Sequence, residues 1–209
     1  MNRVAPGRFL TLEGIDGAGK SSHIEWIADF LRARKQQVVT SREPGGTPLG
    51  ERLRACLLSE AMSLEAEILL LFAARSEHLS AVIRPALQRG AWVVCDRFSD
   101  ATYAYQGGGR QFDPERIRRL EEWAQGDLQA DRTLLFDVPC AVARQRIEAA
   151  GRSQDRFEAE KTVFFERVRE TYLARARREP ERFRIIDGTR PVEEIRARLE
   201  TILQEELSQ

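Results

Sequence analysis

Residues Gly14-Ile15-Asp16-Gly17-Ala18-Gly19-Lys20-Ser21 match G-x-x-x-x-G-K-[ST], the pattern of a phosphate-binding loop. Residues 9–13 before this stretch form an apolar run that predicts a short buried strand. Residues 22–34 after it carry apolar side chains at helical spacing. The motif therefore stands between a strand and a helix, which is the context that it requires. Its glycine order does not fit the dinucleotide fingerprint G-x-G-x-x-G.

The glycines explain how this loop would bind an anion. Because glycine has no Cβ, Gly14, Gly17 and Gly19 let the backbone curl until successive N–H groups point inward. The N-terminus of the following helix adds partial positive charge. Lys20 would reach the β- and γ-phosphates of a nucleotide, and Ser21 would hold Mg²⁺.

Composition limits the class of protein. The chain has 209 residues, of which 42% are hydrophobic and 32% charged, so we expect one globular domain. The formal net charge is zero, so no overall field would draw the protein to nucleic acid or a membrane. We also expect neither a signal peptide nor a membrane span, because no apolar run is long enough. Cys56, Cys95 and Cys140 are scattered without a C-x-x-C pair, which predicts reduced thiols in the cytoplasm.

Short apolar runs alternate with helical patterns along the chain. This alternation predicts an α/β fold, a parallel five-stranded sheet with helices on both faces. The predicted strands are Phe9–Glu13, Gln37–Thr40, Ala91–Asp96, Thr133–Asp137 and Arg184–Asp187. In such sheets ligands bind at the carboxyl ends of the strands, so we expect the functional residues at that edge.

The stretch Ser41–Thr47, SREPGGT, follows the second predicted strand. Its proline and two glycines predict an irregular loop. Arg42 and Glu43 stand at the strand end of this loop, facing the phosphate loop. An ion pair at the surface explains these two residues equally well when the stretch is taken alone.

A long helix is predicted from its cap, Ser63, to Gln88. Phe72 and Arg75 are three residues apart and therefore share one face of this helix. An aromatic ring beside a guanidinium group suits a flat base. The residues alone nevertheless favour a core position for Phe72.

Two features follow the third predicted strand. Asp96 is an acid where phosphate-loop proteins commonly hold their metal, and Arg97 beside it could clamp phosphates. An ion pair or a helix cap is the alternative. The stretch Thr102–Arg110, TYAYQGGGR, combines hydroxyls, an amide and three glycines, which predicts a ligand-binding loop and not a helix.

The segment Arg144–Arg156 is rich in arginine and is interrupted by Gly151. A flap that carries arginines over a triphosphate would have this composition. So would an ordinary solvated helix end, which composition alone slightly favours.

Together these stretches resemble the thymidylate kinase family, the dTMP kinases of bacteria. Five motifs in order carry the resemblance, LEGIDGAGKS, REPGGT, LLLFAAR, CDRF and ATYAYQGGGR, and it covers residues 9 to about 205. It implies a fold of the P-loop NTPase type, with one kinase domain over residues 1–209 and a mobile lid at about 148–160. The implied reaction transfers the γ-phosphoryl group of ATP to dTMP, giving dTDP and ADP, with Mg²⁺ as cofactor.

The resemblance implies where ATP and the metal would bind. The implied ATP-binding residues are Gly14, Ile15, Asp16, Gly17, Ala18, Gly19, Lys20, Ser21 and Ser22. The implied metal-binding residues are Ser21, Asp96 and Glu43. Lys20 and Arg97 would act in catalysis together with a lid arginine, Arg152 or Arg156. The phosphate loop has no arginine, which resembles the bacterial members in which the lid supplies it.

The resemblance also implies a site for the second substrate. The implied dTMP-binding residues are Asp16, Arg42, Phe72, Arg75, Arg97, Thr102, Tyr105 and Gln106. Phe72 would stack on thymine, which reverses the assignment made from the residues alone. Arg75 would donate to the base, and Thr102 or Gln106 would contact its polar edge. Tyr105 would lie against the deoxyribose, where a ribose 2′-hydroxyl would crowd it.

Two rival interpretations stand beside this one. A kinase of another nucleoside monophosphate would need a different base pocket. A nucleotide-dependent switch is disfavoured because the chain has no N-K-x-D guanine motif. The resemblance further implies a homodimer, in which Leu64, Ile68 and Leu71 would divide between the core and a two-fold interface.

Overall fold

A computed structural model describes residues 7–149 and 162–208 of the chain. Its sheet has five parallel strands in the order β2-β3-β1-β4-β5. The strands are β1 (Phe9–Glu13), β2 (Val38–Arg42), β3 (Trp92–Asp96), β4 (Arg132–Asp137) and β5 (Phe183–Asp187). The predicted five-stranded parallel sheet is therefore confirmed, with small shifts at the strand ends.

Both faces of the sheet are buried. Side chains alternate along a strand, so Leu10 and Leu12 of β1 join one core cluster while Phe9 joins another. In β3, Val94 belongs to the first cluster and Val93 to the second. Helices must therefore cover both faces, as the sequence predicts.

The helices connect the strands and close these two clusters. In the described ranges they are α1 (Ser21–Ala33), α2 (Pro48–Ser59), α3 (Leu64–His78), α4 (Arg84–Gln88), α5 (Ser99–Thr102), α6 (Pro114–Gln125), α7 (Cys140–Ala149), α8 (Thr162–Arg178) and α9 (Val192–Leu207). The predicted cap of α3 is confirmed, since Ser63 Oγ accepts a hydrogen bond from Ala66 N at 3.2 Å. None of the described helices is long and apolar enough to cross a membrane.

The long helix predicted from Ser63 to Gln88 is confirmed, since residues 64–88 are helical throughout, but it contains a π-helical turn that the sequence did not predict. A π-helical turn, Leu79–Ile83, separates α3 from α4. Pro85 lies in the first turn of α4 and has no N–H to donate to the preceding turn. A wider turn at this point accommodates the missing hydrogen bond.

The prediction that Thr102–Arg110 is a loop and not a helix is wrong, because residues 102–109 are helical. This segment consists of the end of α5 and a π-helix, Tyr103–Gly109. A Cβ at Gly108 would collide with Thr171, and one at Gly109 would collide with the ring of Phe164. The glycines therefore allow close approach to α8 and do not unwind the chain.

The lid predicted at about 148–160 falls mostly outside the described residues. Residues 148 and 149 are the end of α7. Arg152 and Arg156, the two candidate lid arginines, lie outside the described residues.

Candidate active site

The carboxyl ends of three neighbouring strands form one edge. The backbone there is tied together, since Arg97 N donates to Leu12 O at 2.9 Å and Glu43 N donates to Asp96 O at 2.9 Å. The residues predicted after β1, β2 and β3 therefore lie side by side. This is the edge at which parallel sheets bind ligands.

The phosphate loop has a backbone that requires glycine. The φ angles are 135° at Gly14, 79° at Gly17 and 97° at Gly19, all in the region that side chains disfavour. A Cβ at Gly14 would also collide with the carbonyl of Phe136, and one at Gly17 with that of Ala143. Glycine is thus needed here for both conformation and space.

Lys20 lies folded against this loop. Its Nζ donates to Gly14 O at 2.8 Å and to Ile15 O at 3.2 Å, and the side chain is buried. Burial, followed by the positive charge of Arg97, lowers the pKa of Lys20 to about 8, although nearby carboxylates oppose this shift. A phosphate would replace the two carbonyl groups as a better partner for the ammonium.

The first turn of α1 continues the loop. Lys20 occupies the cap position of α1 without a side-chain cap, and Ser21 and Ser22 are exposed. The N–H groups of a helix N-terminus bind anions readily. The predicted ATP-binding residues are therefore contiguous in space as well as in sequence.

Asp16 connects the loop to the neighbouring strand. Its Oδ1 pairs with Arg97 Nη2 at 2.6 Å, and its Oδ2 accepts from the Tyr105 hydroxyl at 2.9 Å. Burial would raise the pKa of Asp16, but the charges of Arg97 and Lys20 outweigh it and the pKa is lowered. Asp16 is therefore a carboxylate that holds Arg97 beside the loop.

Arg97 has an unusual backbone for a side-chain-bearing residue. Its φ is 69°, in the left-handed region, which costs of order 1 kcal/mol. Its guanidinium lies 4.8 Å from the Tyr105 ring centroid, and Nη1 is 3.4 Å from the Tyr172 hydroxyl. These contacts and the Asp16 pair hold the strained conformation in place.

Arg75 is positioned from several sides. Its Nε pairs with Glu43 Oε2 at 2.7 Å, and its Nη2 donates to Thr102 Oγ1 at 3.0 Å. The other oxygen of Glu43 lies 3.0 Å from His78 Nδ1. Arg75 Nη1 is buried and has no partner in the part of the chain that the structure describes. The guanidinium thus keeps one donor group for a ligand.

These side chains line one cleft beside the phosphate loop. Its lining residues are Asp16, Glu43, Pro44, Arg54, Leu58, Leu71, Arg75, Arg97, Phe98, Ala101, Thr102, Tyr105 and Gln106. Most of the residues predicted to bind dTMP therefore come together. A cleft with a few convergent polar groups is the usual form of a small-molecule site.

Two of the predicted residues are placed differently. Phe72 is buried with Ile68, Phe112 and Ile117, and is not among the residues that line the cleft. Its ring centroid lies 4.9 Å from the Arg75 guanidinium. The ring packs against the Arg75 guanidinium, and stacking on a base stays a prediction.

Arg42 is also held away from the lining. It pairs with Glu51 Oε2 at 2.7 Å near the surface. For Arg42, this geometry matches the surface ion pair that the sequence left open as the alternative to phosphate binding. A contact between Arg42 and a phosphate stays a prediction.

The proposed metal ligands differ in whether their oxygens already accept hydrogen bonds. Asp96 Oδ1 is buried without a hydrogen-bond partner among the described residues. Both oxygens of Glu43 already bind Arg75 and His78, so this side chain orients Arg75. Within residues 7–149 and 162–208, no group of three or more His, Cys, Asp or Glu side chains could hold a metal by itself.

Sequence reasoning missed two arginines at the site. Arg54 of α2 lines the cleft and donates to Pro44 O at 3.0 Å, and burial followed by the charge of Arg42 lowers its pKa. Arg146 of α7 donates to Gly188 O at 2.9 Å and reaches the phosphate loop at Gly17 O, 3.4 Å away. Both lie on helices with several arginines, so composition alone did not distinguish them.

Glu13 was also missed, because it reads as the last residue of an apolar strand. It is fully buried and accepts from Phe98 N at 2.7 Å and from the Tyr172 hydroxyl at 2.8 Å. Burial, followed by the charge of Asp100, raises the pKa of Glu13 to about 8. The site therefore has a second buried carboxyl group directly before the phosphate loop.

Comparison with known proteins agrees with this geometry. The family model of thymidylate kinases matches residues 12–199. A thymidylate kinase of Bordetella petrii is 62% identical over 201 residues, which are 96% of this chain and 97% of the relative. One from Cupriavidus necator is 59% identical, covering 94% of this chain and 98% of the relative.

A solved structure supports the same assignment. The crystal structure of thymidylate kinase from Ehrlichia chaffeensis superposes with a TM-score of 0.79 at 30% sequence identity. The match covers 96% of this chain and 99% of that one. With the sequence relatives, this likeness establishes that the chain belongs to the thymidylate kinase family.

Proposed function

We infer that this chain transfers the γ-phosphoryl group of ATP to dTMP, giving dTDP and ADP, a step in the synthesis of dTTP. The match of the family model to residues 12–199 carries this conclusion. The cleft supports this conclusion, because the phosphate loop adjoins a pocket lined with polar side chains at the same edge of the sheet.

The chemistry needs electrostatics more than proton transfer. The attacking oxygen belongs to the dTMP phosphate and is already ionised at neutral pH, so no strong general base is required. The site must instead bring two anions together in line and spread the charge of the transferring group. Lys20 and Arg97 are both close enough to Asp16 for their charges to lower its pKa, and these two cations suit this role. The predicted lid arginine, Arg152 or Arg156, would add a third cation.

Mg²⁺ fits the residues present at the strand edge. Asp96 offers a buried oxygen with no partner in the described ranges, and Ser21 begins the helix that follows the loop. Carboxylate and hydroxyl oxygens are suitable ligands for this hard cation. When bound, the ion would neutralise charge on the ATP phosphates. We leave Glu43 out of the metal set, since its oxygens serve Arg75 and His78.

For dTMP we propose an orientation that follows the cleft. The base would lie at Arg75 and Gln106, and the deoxyribose at Tyr105 with its 3′-hydroxyl toward Asp16. Arg97 would hold the dTMP phosphate. Two further assignments, Phe72 to the base and Arg42 to the phosphate, depend on the resemblance alone. Arg54 joins the phosphate set because it lines the cleft as a partly buried cation.

A steady-state assay with ATP and three acceptors tests the proposed reaction. We expect dTMP to be the best acceptor, dUMP a weaker one and dGMP inactive, with dTDP and ADP formed in equal amounts. A preference for dGMP would assign the chain to another nucleoside monophosphate. ATP hydrolysis without transfer to any acceptor would favour a switch.

We propose a homodimer through the outer face of α3. Ile68 and Leu71, two of the residues predicted to divide between core and interface, are buried within the protomer. Leu69, in contrast, is 55% exposed, and the small residues Ala73 and Ser76 continue its face of the helix. A flat apolar helix face of this kind suits a two-fold helix-on-helix contact.

Light scattering at micromolar concentration tests this assembly. We expect twice the protomer mass for the wild type and a shift toward one protomer for Leu69→Glu, because a charge would be buried at the two-fold axis. Trp123→Glu, which changes an exposed side chain on α6, is the control. A wild-type mass of one protomer would contradict the proposal.

We also propose a cytoplasmic location. Cys56, Cys95 and Cys140 are all free thiols, as a reducing compartment would keep them. Cell fractionation with thiol labelling checks this location.

A further inference from the structure

Glu67 is a buried carboxylate placed behind the cleft. It lies on α3, is 1% exposed and is not among the residues that line the cleft. Gln106, which does line the cleft, donates from Nε2 to Glu67 Oε1 at 2.8 Å. Arg110 Nε donates to the same oxygen at 3.3 Å. A lining amide is thus attached to a carboxylate that a ligand would not touch.

This contact fixes which end of the Gln106 amide faces the cleft. An ionised carboxylate can only accept hydrogen bonds, so it must bind the NH₂ end of the amide. Turning the amide by half a rotation would set its carbonyl oxygen against Glu67, leaving two acceptors in contact in a buried place. Gln106 Oε1 is therefore turned away from Glu67 and is left as the acceptor for a ligand.

Arg75 supplies the complementary group. Its Nη1 is a buried donor with no partner in the described part of the protein, and Arg75 lines the same cleft. The cleft thus offers one donor and one acceptor. Thymine presents O4 as an acceptor and N3–H as a donor on adjacent atoms. Cytosine presents a donor amino group and an acceptor nitrogen at these positions, so it would meet like groups.

We propose that Glu67 is a specificity-determining positioning residue, which makes the cleft select thymine over cytosine by fixing the amide of Gln106. The proposal depends on the base position inferred above for dTMP. Glu67 would act without touching the nucleotide, because it lies outside the cleft lining and accepts from Gln106, which lines the cleft.

The variant Glu67→Gln tests the proposal. The new amide can either accept from or donate to Gln106, so the orientation of Gln106 is no longer fixed. We expect the ratio of kcat/KM for dTMP to that for dCMP to fall about 10-fold, the effect of removing one unmatched buried polar pair. The ratio for dTMP to dUMP should not change, because uracil presents the same polar edge as thymine. A purely structural role would not separate these two ratios.

Two controls locate the effect. Glu121→Gln changes another buried carboxylate, which does not line the cleft. Glu121 accepts a hydrogen bond from Gln125 Nε2 at 3.1 Å. This variant should leave both ratios unchanged. Gln106→Ala removes the amide itself and should lower the dTMP to dCMP ratio. If Gln106→Ala keeps that ratio while dTMP is still phosphorylated, the base position is wrong but the reaction is not.

Glu67→Met is the second variant if Glu67→Gln folds poorly, since it removes both polar atoms at similar length. It should lower the dTMP to dCMP ratio in the same direction. An unchanged ratio in the Glu67 variants, with a lowered ratio in Gln106→Ala, would overturn the proposal. Equal losses for all three nucleotides, or insoluble protein from both variants, would assign Glu67 to the fold alone and overturn it as well.

Discussion

The phosphate loop and the proposed base-binding end of the cleft are built in different ways. The loop is one continuous stretch, Gly14–Ser21, whose shape depends on glycine backbone angles. The base-binding end uses side chains from separate helices, and each is oriented by a buried carboxylate far away in sequence. Arg75 is held by Glu43, 32 residues away, and Gln106 by Glu67, 39 residues away. The phosphate loop is thus local in the chain, whereas the proposed recognition of the base depends on pairs that only the fold brings together.

Removing the cation of the phosphate loop should have the largest effect. Lys20→Ala leaves the glycine backbone intact and removes the charge that stabilises the transferring group. We expect kcat to fall on the order of 10²-fold or more, with the fold unchanged by circular dichroism. Lys35→Ala, which changes an exposed lysine, should keep wild-type turnover. A Lys20 variant with near-normal kcat would refute the assignment of the phosphate loop.

A smaller effect is expected from changing Tyr105, at the proposed sugar pocket between the phosphate loop and the base-binding end. The Tyr105 ring lies at the cleft, with ring centroids 6.0 Å from Phe164 and 6.5 Å from Tyr172. A ribose 2′-hydroxyl against this ring would lose water without gaining a partner, at about 1–3 kcal/mol or 5- to 150-fold in specificity. Tyr105→Ala should lose this preference for deoxyribose, because water can then solvate the hydroxyl.

Tyr105→Phe is the matched control for that experiment. It keeps the ring and removes only the hydroxyl that donates to Asp16, so most of the discrimination should remain. The measurement is kcat/KM for dTMP and for its ribonucleotide counterpart in both variants. If Tyr105→Ala keeps the wild-type preference, the ring serves packing and sugar selection lies elsewhere.

The remaining prediction concerns the free energy of unfolding and not catalysis. The pKa of Glu13 is about 8 in the folded protein against an ordinary value of 4.5, so the folded state binds more protons between these values. The contribution of Glu13 to the stability of the wild type should therefore fall as pH rises from about 5 to about 8. Glu13→Gln cannot titrate, so its free energy of unfolding relative to wild type should rise over this interval by more than about 1 kcal/mol.

Urea unfolding at several pH values between 5 and 8 measures this difference. For Glu25→Gln, at an exposed position of α1, the free energy of unfolding should depend on pH in the same way as for the wild type. Parallel curves for Glu13→Gln as well would show that the buried carboxyl group does not titrate in this range.

Sequence reasoning succeeded where the structural cause is local. The strand order along the chain and the phosphate loop follow from alternating apolar residues and glycine spacing. It failed at Thr102–Arg110, because glycines that admit a neighbouring helix look like glycines that form a loop. It could not choose Arg54, which lines the cleft, over Arg52 two residues earlier, since only the rotation of α2 separates them. Orienting residues such as Glu67 have no sequence signal of their own.

The close contact between the π-helix Tyr103–Gly109 and α8 has a consequence for engineering the substrate pocket. A larger residue at Gly108 would push against Thr171 and displace α8. The same helix carries Tyr172, which donates to Glu13 at the base of the phosphate loop. Substitutions in the glycine run would therefore reach the residue before the phosphate loop through α8. A redesign for bulkier nucleotides should begin instead at Leu58, which lines the cleft from α2.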